Sequence, residues 1–168
     1  MTRKQDLFST KHPDLSQITD DLFLSSLPKT EHRDHILSLG IRLVISMPLY
    51  RPPRAYREPP FQFVHCPTID SPITPIPVFM LRRGVSAALP VIEGGEAVLV
   101  HCKAGVHRSV AMAACILIAQ GLSADEAMQL VKDKREKADP YAPYIRRRIE
   151  KFEEEWRQEH GKTHPGGQ

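Results

Sequence analysis

Cys102 and Arg108 stand six positions apart in the run His101-Cys102-Lys103-Ala104-Gly105-Val106-His107-Arg108-Ser109. A loop of that length, closing onto a helix N-terminus, turns successive backbone N–H groups into one concavity that suits a dianionic phosphate. The amides of Lys103, Ala104, Gly105, Val106 and His107 are the candidate phosphate ligands. A cysteine at the base of such a cradle is held as a thiolate by the helix dipole, the amides and the neighbouring arginine. A guanidinium forks onto two phosphate oxygens, a geometry that an ammonium lacks. The chemistry implied is attack of sulfur on phosphorus. Arg108 and the loop amides supply the positive charge, so no metal or cofactor is expected. Two plainer readings compete. One is a buried structural cysteine beside a surface arginine. The other is a metal set of His101, Cys102 and His107, although no other Cys/His pair at zinc spacing accompanies them.

Sulfur can attack, but an alkoxide or phenoxide leaves poorly unless it is protonated, so a general acid is needed on a separate loop facing the cradle. Asp70 is the candidate. It follows the apolar run Phe61-Gln62-Phe63-Val64 and opens the Pro-rich segment Ser71-Pro72-Ile73, which cannot continue as helix or central strand. A turn or cap residue is the ordinary alternative for a loop aspartate. Glu93 and Glu96 are rival carboxylates, but they sit in the turn that feeds the cysteine's own strand, at its far end.

The surrounding elements must place these groups. Residues 97–100 are four apolar positions after the turn pair Gly94-Gly95, a buried strand; residues 109–120 form a buried helix stopped by Gly121. Residues 16–25 predict one or two short edge strands with Ile18, Leu22 and Leu24 inward. Thr30 is a candidate N-cap for a helix to Leu39, with Gly40 as its stop. Residues 41–46 and 61–65 are strands, separated by a loop over 47–60 holding five prolines in fourteen residues. Residues 78–92 have helical spacing, with Pro90 expected to kink or end the helix. Ser123 and Glu126 make a capping box for a helix to about Lys137. A last helix over 144–159 carries Ile145, Ile149, Phe152 and Trp156 on one stripe. Strands alternating with helices predict an α/β fold with helices covering a central sheet.

At 168 residues, 41% hydrophobic and 26% charged, the chain has the size and composition of one globular domain. Residues 1–15 are expected to be a loose segment, 16–160 the catalytic domain, and the Gly/Pro-rich 161–168 a disordered tail. Three cysteines at wide spacing argue against a disulfide framework and for a reducing compartment, cytosol or nucleus. No run is long enough to span a bilayer, and no signal peptide is apparent. The net charge is only +3. No basic stripe interleaved with aromatics points to nucleic acid. Arg51, Arg54 and Arg57 lie in the Pro-rich loop, where they either overhang the site or form a solvated face. Lys132, Lys134, Arg135 and Lys137 close a helix, as dipole complementarity expects, and Arg146 to Arg148 open the next.

The nine-residue run resembles the signature of the cysteine-dependent protein phosphatases, His-Cys-x5-Arg-Ser/Thr. His101, Cys102, Arg108 and Ser109 match it position by position. The order of elements from Ser16 to Trp156 is similar to the small, atypical dual-specificity phosphatases, and Asp70, 32 positions before Cys102, looks like their acid-loop aspartate. The resemblance implies a mostly parallel sheet of about five strands. It implies hydrolysis of phosphotyrosine, phosphoserine and phosphothreonine in phosphoproteins or phosphopeptides through a cysteinyl-phosphate. Cys102 would then attack, Asp70 protonate the leaving oxygen, Ser109 stabilise the departing thiolate, and His101 brace the loop. Some superfamily members protect the nucleophile with a second cysteine, which makes Cys66 a candidate redox partner; a buried structural thiol is the alternative. Two departures matter. His107 replaces the usual small residue before the arginine, and an imidazole or Lys103 there would add positive charge at the pocket rim. Residues 139–143 stand where many members have Pro-Asn. Lys-Ala-Gly after the cysteine also occurs in lipid and inositol phosphate phosphatases, so phosphoinositides or inositol polyphosphates are the alternative substrates. A phospho-binding scaffold without turnover is the alternative of another class.

Overall fold

The computed structural model describes residues 12–161; the expectations for residues 1–11 and for the tail from 162 lie outside them. Five strands form one sheet: β1 (Leu15–Gln17), β2 (Leu22–Ser25), β3 (Ile41–Ser46), β4 (Gln62–His65) and β5 (Ala97–His101). Their spatial order is β1-β2-β5-β3-β4, with β1 antiparallel to β2 and every other pair parallel. The α/β expectation is met. Only β1 and β4 are edges. Expected as part of an edge, β2 is instead internal, because it pairs with β5 from Leu22↔Val98 to Ser25↔His101. Its four residues are all buried, as a parallel strand covered on both faces requires.

Alternation along the strands divides the core. Leu22, Leu24, Leu43, Ile45, Val98 and Val100 face one cluster, while Phe23, Val44, Ala97 and Leu99 face the other. The first and larger cluster lies under four helices: α2 (Val78–Glu93), α3 (Arg108–Ala119), α4 (Ala124–Lys134) and α5 (Pro143–His160). The second contains Ile36 of α1 (Arg33–Ser38) together with Tyr56 and Phe61. From Val110 to Ile118, α3 is buried without interruption. It packs against α2, α4 and α5, so an all-round apolar helix is what its position demands. Gly84 lets α2 approach α3 closely, because a Cβ there would strike Met112.

Three local expectations are corrected. Thr30 opens a 3-10 turn, Thr30–His32, and makes no side-chain cap; the α-helical turn starts at Arg33. Pro90 does not end α2, which runs on to Glu93. It lies in the last turn on the exposed face, where the carbonyl deprived of its donor, that of exposed Ser86, faces water. The end of α4 comes at Lys134 rather than near Lys137, since Arg135 turns extended. The Ser123–Glu126 capping box forms as read, with Glu126 N–H donating to Ser123 Oγ at 3.2 Å and Ser123 N–H to Glu126 Oε2 at 2.8 Å.

Candidate active site

The parallel strands end together: Ser25, Ser46, His65 and His101 are register partners at the carboxyl edge. Ligand sites of open α/β sheets form just beyond that edge, and here the loop from Cys102 to the first turn of α3 crosses it. Gly105 N–H donates to Cys102 Sγ at 3.2 Å, and Ser109 Oγ lies 3.1 Å from the same sulfur. The sulfur thus lies at the N-terminus of α3, in contact with one backbone N–H and one hydroxyl. Gly105 has φ of 67°, and a Cβ on it would stand 2.9 Å from the Ser25 carbonyl and strike the Arg135 guanidinium. Only glycine fits a turn so close to the edge of β2.

Arg108 is 8% exposed. Its Nη1 donates to the Thr68 carbonyl at 2.7 Å, while its buried Nε–H has no acceptor among the described residues. A buried guanidinium N–H without a partner is costly unless a ligand supplies one, and a phosphate oxygen in the cradle is the fitting acceptor. The bond to Thr68 also ties the cradle to the loop that carries Asp70. Thr68 itself is anchored by its N–H and Oγ1, both donating to the Met47 carbonyl, at 2.9 and 3.0 Å.

His101 is fully buried, and its Nδ1 lies 3.2 Å from the Cys102 carbonyl. Burial lowers its pKa to about 4, against the opposing effect of that hydrogen bond, so the ring is neutral at physiological pH. The neutral ring donates from Nδ1 at the root of the loop. Its Nε2 and the hydroxyls of its two cross-strand neighbours, Ser25 and Ser46, are buried without hydrogen-bond partners among the described residues.

Asp70 is brought to the cradle by contacts that sequence spacing did not reveal. Tyr144, in the first turn of α5, donates to Asp70 Oδ1 at 2.7 Å. His107 Nδ1 lies 3.1 Å from Asp70 Oδ2, and its Nε2 lies 3.6 Å from Asp139 Oδ2. His107 therefore meets two carboxylates at the rim. The Asp139 N–H donates to the Val106 carbonyl at 2.9 Å, so the 139–143 loop touches the cradle directly. Lys103 and Ala104 are exposed on its outer side.

Arg135 is the buried residue that the sequence concealed. Read as one of several basic residues at a helix end, it is instead 3% exposed and lies behind the phosphate loop. Its Nε donates to the Gly105 carbonyl at 2.8 Å, and its two Nη atoms reach Asp14 at 3.2 and 3.0 Å. Burial alone would raise the Asp14 pKa, but Lys137 and Arg135 outweigh it and lower the value. Asp14, inside the segment expected to be loose, is thus fastened to the back of the cradle. Nothing in local spacing separates Arg135 from Lys132 or Lys134; only the fold turns it inward. Arg135→Met should cost on the order of 1–2 kcal/mol, mainly for the buried Gly105 carbonyl left without its donor, as read by urea unfolding. The same variant should bind vanadate more weakly, because the Gly105 carbonyl is no longer held.

The remaining candidates lie elsewhere. Glu93 and Glu96 flank the turn at the opposite end of β5 from Cys102. Arg54 pairs with Glu58, and Arg57 donates to the Pro52 carbonyl at 3.1 Å, so both are used within their own loop. Cys66 and Cys115 are buried free thiols. Burial pushes the Cys66 pKa up to about 11, which leaves it a poor attacking thiol. Among the described residues, no group of three or more His, Cys, Asp or Glu side chains could hold a metal ion, and no helix is long and apolar enough to cross a membrane.

Comparison with known proteins agrees with this geometry. Dual specificity phosphatase 28 of Homo sapiens is 30% identical over 144 residues, covering 84% of this chain and 79% of that protein. Dual specificity protein phosphatase 1B of Arabidopsis thaliana is 29% identical over 143 residues, covering 83% and 82%. The crystal structure of human DUSP28 superposes with a TM-score of 0.76 at 27% identity, covering 85% of this chain and 95% of that one. The model of the dual specificity phosphatase catalytic domain matches residues 22–154. That span runs from β2 through most of α5 and encloses the cradle, Asp70 and Tyr144, and with it the chain belongs to the dual specificity phosphatase family.

Proposed function

We infer that this cysteine-dependent protein phosphatase works through a cysteinyl-phosphate intermediate. Amides of residues 103–107 and the Arg108 guanidinium take the phosphate oxygens. They hold those oxygens more tightly as they flatten in the transition state. Cys102 Sγ attacks phosphorus in line while Asp70 protonates the leaving oxygen. Asp70 then takes a proton from the water that cleaves the S–P bond, and Ser109 Oγ–H stabilises the thiolate that returns. The observation that carries this reading is the convergence at one carboxyl edge of a sulfur with two hydrogen-bonding partners, a buried Arg108 Nε–H without an acceptor among the described residues, and Asp70 on the facing loop.

Phosphoproteins carrying phosphotyrosine, phosphoserine or phosphothreonine, in the cytosol or nucleus, are the substrates proposed. Large exposed apolar side chains, Leu49, Ile69 and Ile73 in the segments after β3 and β4 and Phe79 in the first turn of α2, suit the residues that flank a phosphorylated side chain in a peptide. A panel of phosphopeptides, phosphoinositides and inositol phosphates, ranked by kcat/KM, separates this reading from inositol phosphate hydrolysis.

Asp70→Asn tests the acid. It should slow phenyl phosphate hydrolysis by roughly 10²–10⁴, the usual worth of a positioned acid. The loss should shrink sharply for a substrate with a strongly acidic phenol, whose leaving group needs no proton. An equal loss on both substrates would move the acid role away from Asp70.

A further inference from the structure

We propose that the proton this site delivers is held by a pair, Asp70 with His107, and that Asp139 and Tyr144 keep the pair in register. The proposal rests on the reading of Asp70 as the acid and adds where its proton resides. Its basis is a line of contacts from three elements outside the cradle onto one ring and one carboxyl. His107 Nδ1 faces Asp70 Oδ2 at 3.1 Å, His107 Nε2 faces Asp139 Oδ2 at 3.6 Å, and the Tyr144 hydroxyl donates to Asp70 Oδ1 at 2.7 Å. The His107 and Tyr144 rings are themselves in contact, with centroids 5.4 Å apart.

The chemistry follows from hydrogen-bond roles. Burial and the hydrogen bond to Asp70 raise the Tyr144 pKa, so the phenol is a fixed donor. Asp70 accepts from that phenol on Oδ1 and faces His107 Nδ1 with Oδ2, and in the proposed resting form it is the carboxylate. A carboxylate has no proton to give. In the proposed resting pair the proton waits on the adjacent His107 Nδ1, whose ring faces two carboxylates, Asp70 and Asp139. Charged imidazole beside carboxylate and neutral imidazole beside carboxylic acid contain the same number of protons. Moving one proton from Nδ1 to Oδ2 converts the first into the second.

The cycle then balances. In the first half, the S–P bond forms and the P–O bond breaks. The proton of His107 first moves to Asp70, which passes it to the leaving oxygen, leaving neutral imidazole and carboxylate. In the second half, water attacks phosphorus and passes one proton to Asp70, the S–P electrons return to Cys102, and the proton moves back to Nδ1. The His107 ring touches neither sulfur nor phosphate oxygen in this scheme. It acts through Asp70 and is a positioning and proton-holding residue. Because it directly precedes Arg108 in the cradle, its ring also fixes the acid loop relative to the phosphate.

The test is the pH dependence of kcat/KM for the full chain on phenyl phosphate and on 2,4-dinitrophenyl phosphate. In the wild type the alkaline limb should report loss of the pair's shared proton, and so belong to the pair as a whole. In His107→Asn the limb should move to lower pH by about one unit or more, with a roughly tenfold loss on phenyl phosphate at neutral pH and little change on the dinitrophenyl ester. In Tyr144→Phe the limb should move the other way, because the carboxylate loses a donor. An unmoved limb in His107→Asn, or equal losses on both esters, overturns the proposal. The imidazole Cε1–H resonance of His107 provides a second measurement that needs no turnover. Its titration midpoint should fall in Asp70→Asn, since a carboxylate beside the ring is gone; an unchanged midpoint also overturns the pairing. If Asp70→Asn shows its leaving-group signature while His107→Asn leaves the limb in place, the acid assignment stands and only the pairing fails. If Asp70→Asn lacks that signature, the acid assignment itself has failed.

Discussion

Cys102→Ser should abolish turnover and leave the fold and phosphate binding intact. The sulfur sits at a helix N-terminus with the Gly105 N–H and Ser109 hydroxyl at 3.2 and 3.1 Å. A serine hydroxyl in the same place stays protonated and does not attack phosphorus at a useful rate. The substitution removes one sulfur and adds one oxygen, and the cradle amides and Arg108 remain. Single-turnover assays with an aryl phosphate should therefore show no phenol release above background, while vanadate or phosphopeptide affinity survives. Retained activity above a few per cent would exclude sulfur as the nucleophile.

Arg108→Lys should be nearly as damaging, although it keeps the charge. The guanidinium has two separate tasks in this structure. Nη1 holds the Thr68 carbonyl at 2.7 Å, and the buried Nε–H waits for a ligand. An ammonium is a compact point donor that cannot reach both Thr68 and a phosphate oxygen in a planar fork. The loss should therefore appear in kcat as well as KM, on the order of 10²–10³, the cost of removing one preorganised donor to the transition state. Near-native kcat/KM in this variant would show that the cradle does not use the fork.

Much of this machinery was legible along the chain because local rules govern it. The strand-loop-helix unit around Cys102 and Arg108 is continuous in sequence. Its apolar strand, its glycine at positive φ and its buried helix each follow from a residue's own conformational and hydrophobic preferences. The Ser123–Glu126 cap is readable for the same reason. Asp70 was legible more weakly, from a chemical need for an acid and from a Pro-rich loop placed after a strand.

What could not be read is what happens between segments distant in sequence. The burial of Arg135 depends on Asp14, 121 positions away, and on the Gly105 carbonyl 30 positions away. No helical periodicity distinguishes it from the solvated lysines beside it. The internal place of β2 depends on parallel pairing with β5, which a four-residue strand does not announce. His107, expected as positive charge on the rim, turns toward Asp70 and Asp139, which arrive from different loops. Sequence by itself determined the strand-loop-helix unit around Cys102 and Arg108 and the α/β class, because these arise from contiguous residues with strong local preferences. Tertiary structure alone decided how the Asp70 loop is tied to the Cys102–Arg108 loop, through Arg108 on Thr68 and through Tyr144 and His107 on Asp70. Hydrogen bonds across 40, 74 and 37 positions exist only once packing has brought their partners within about 3 Å.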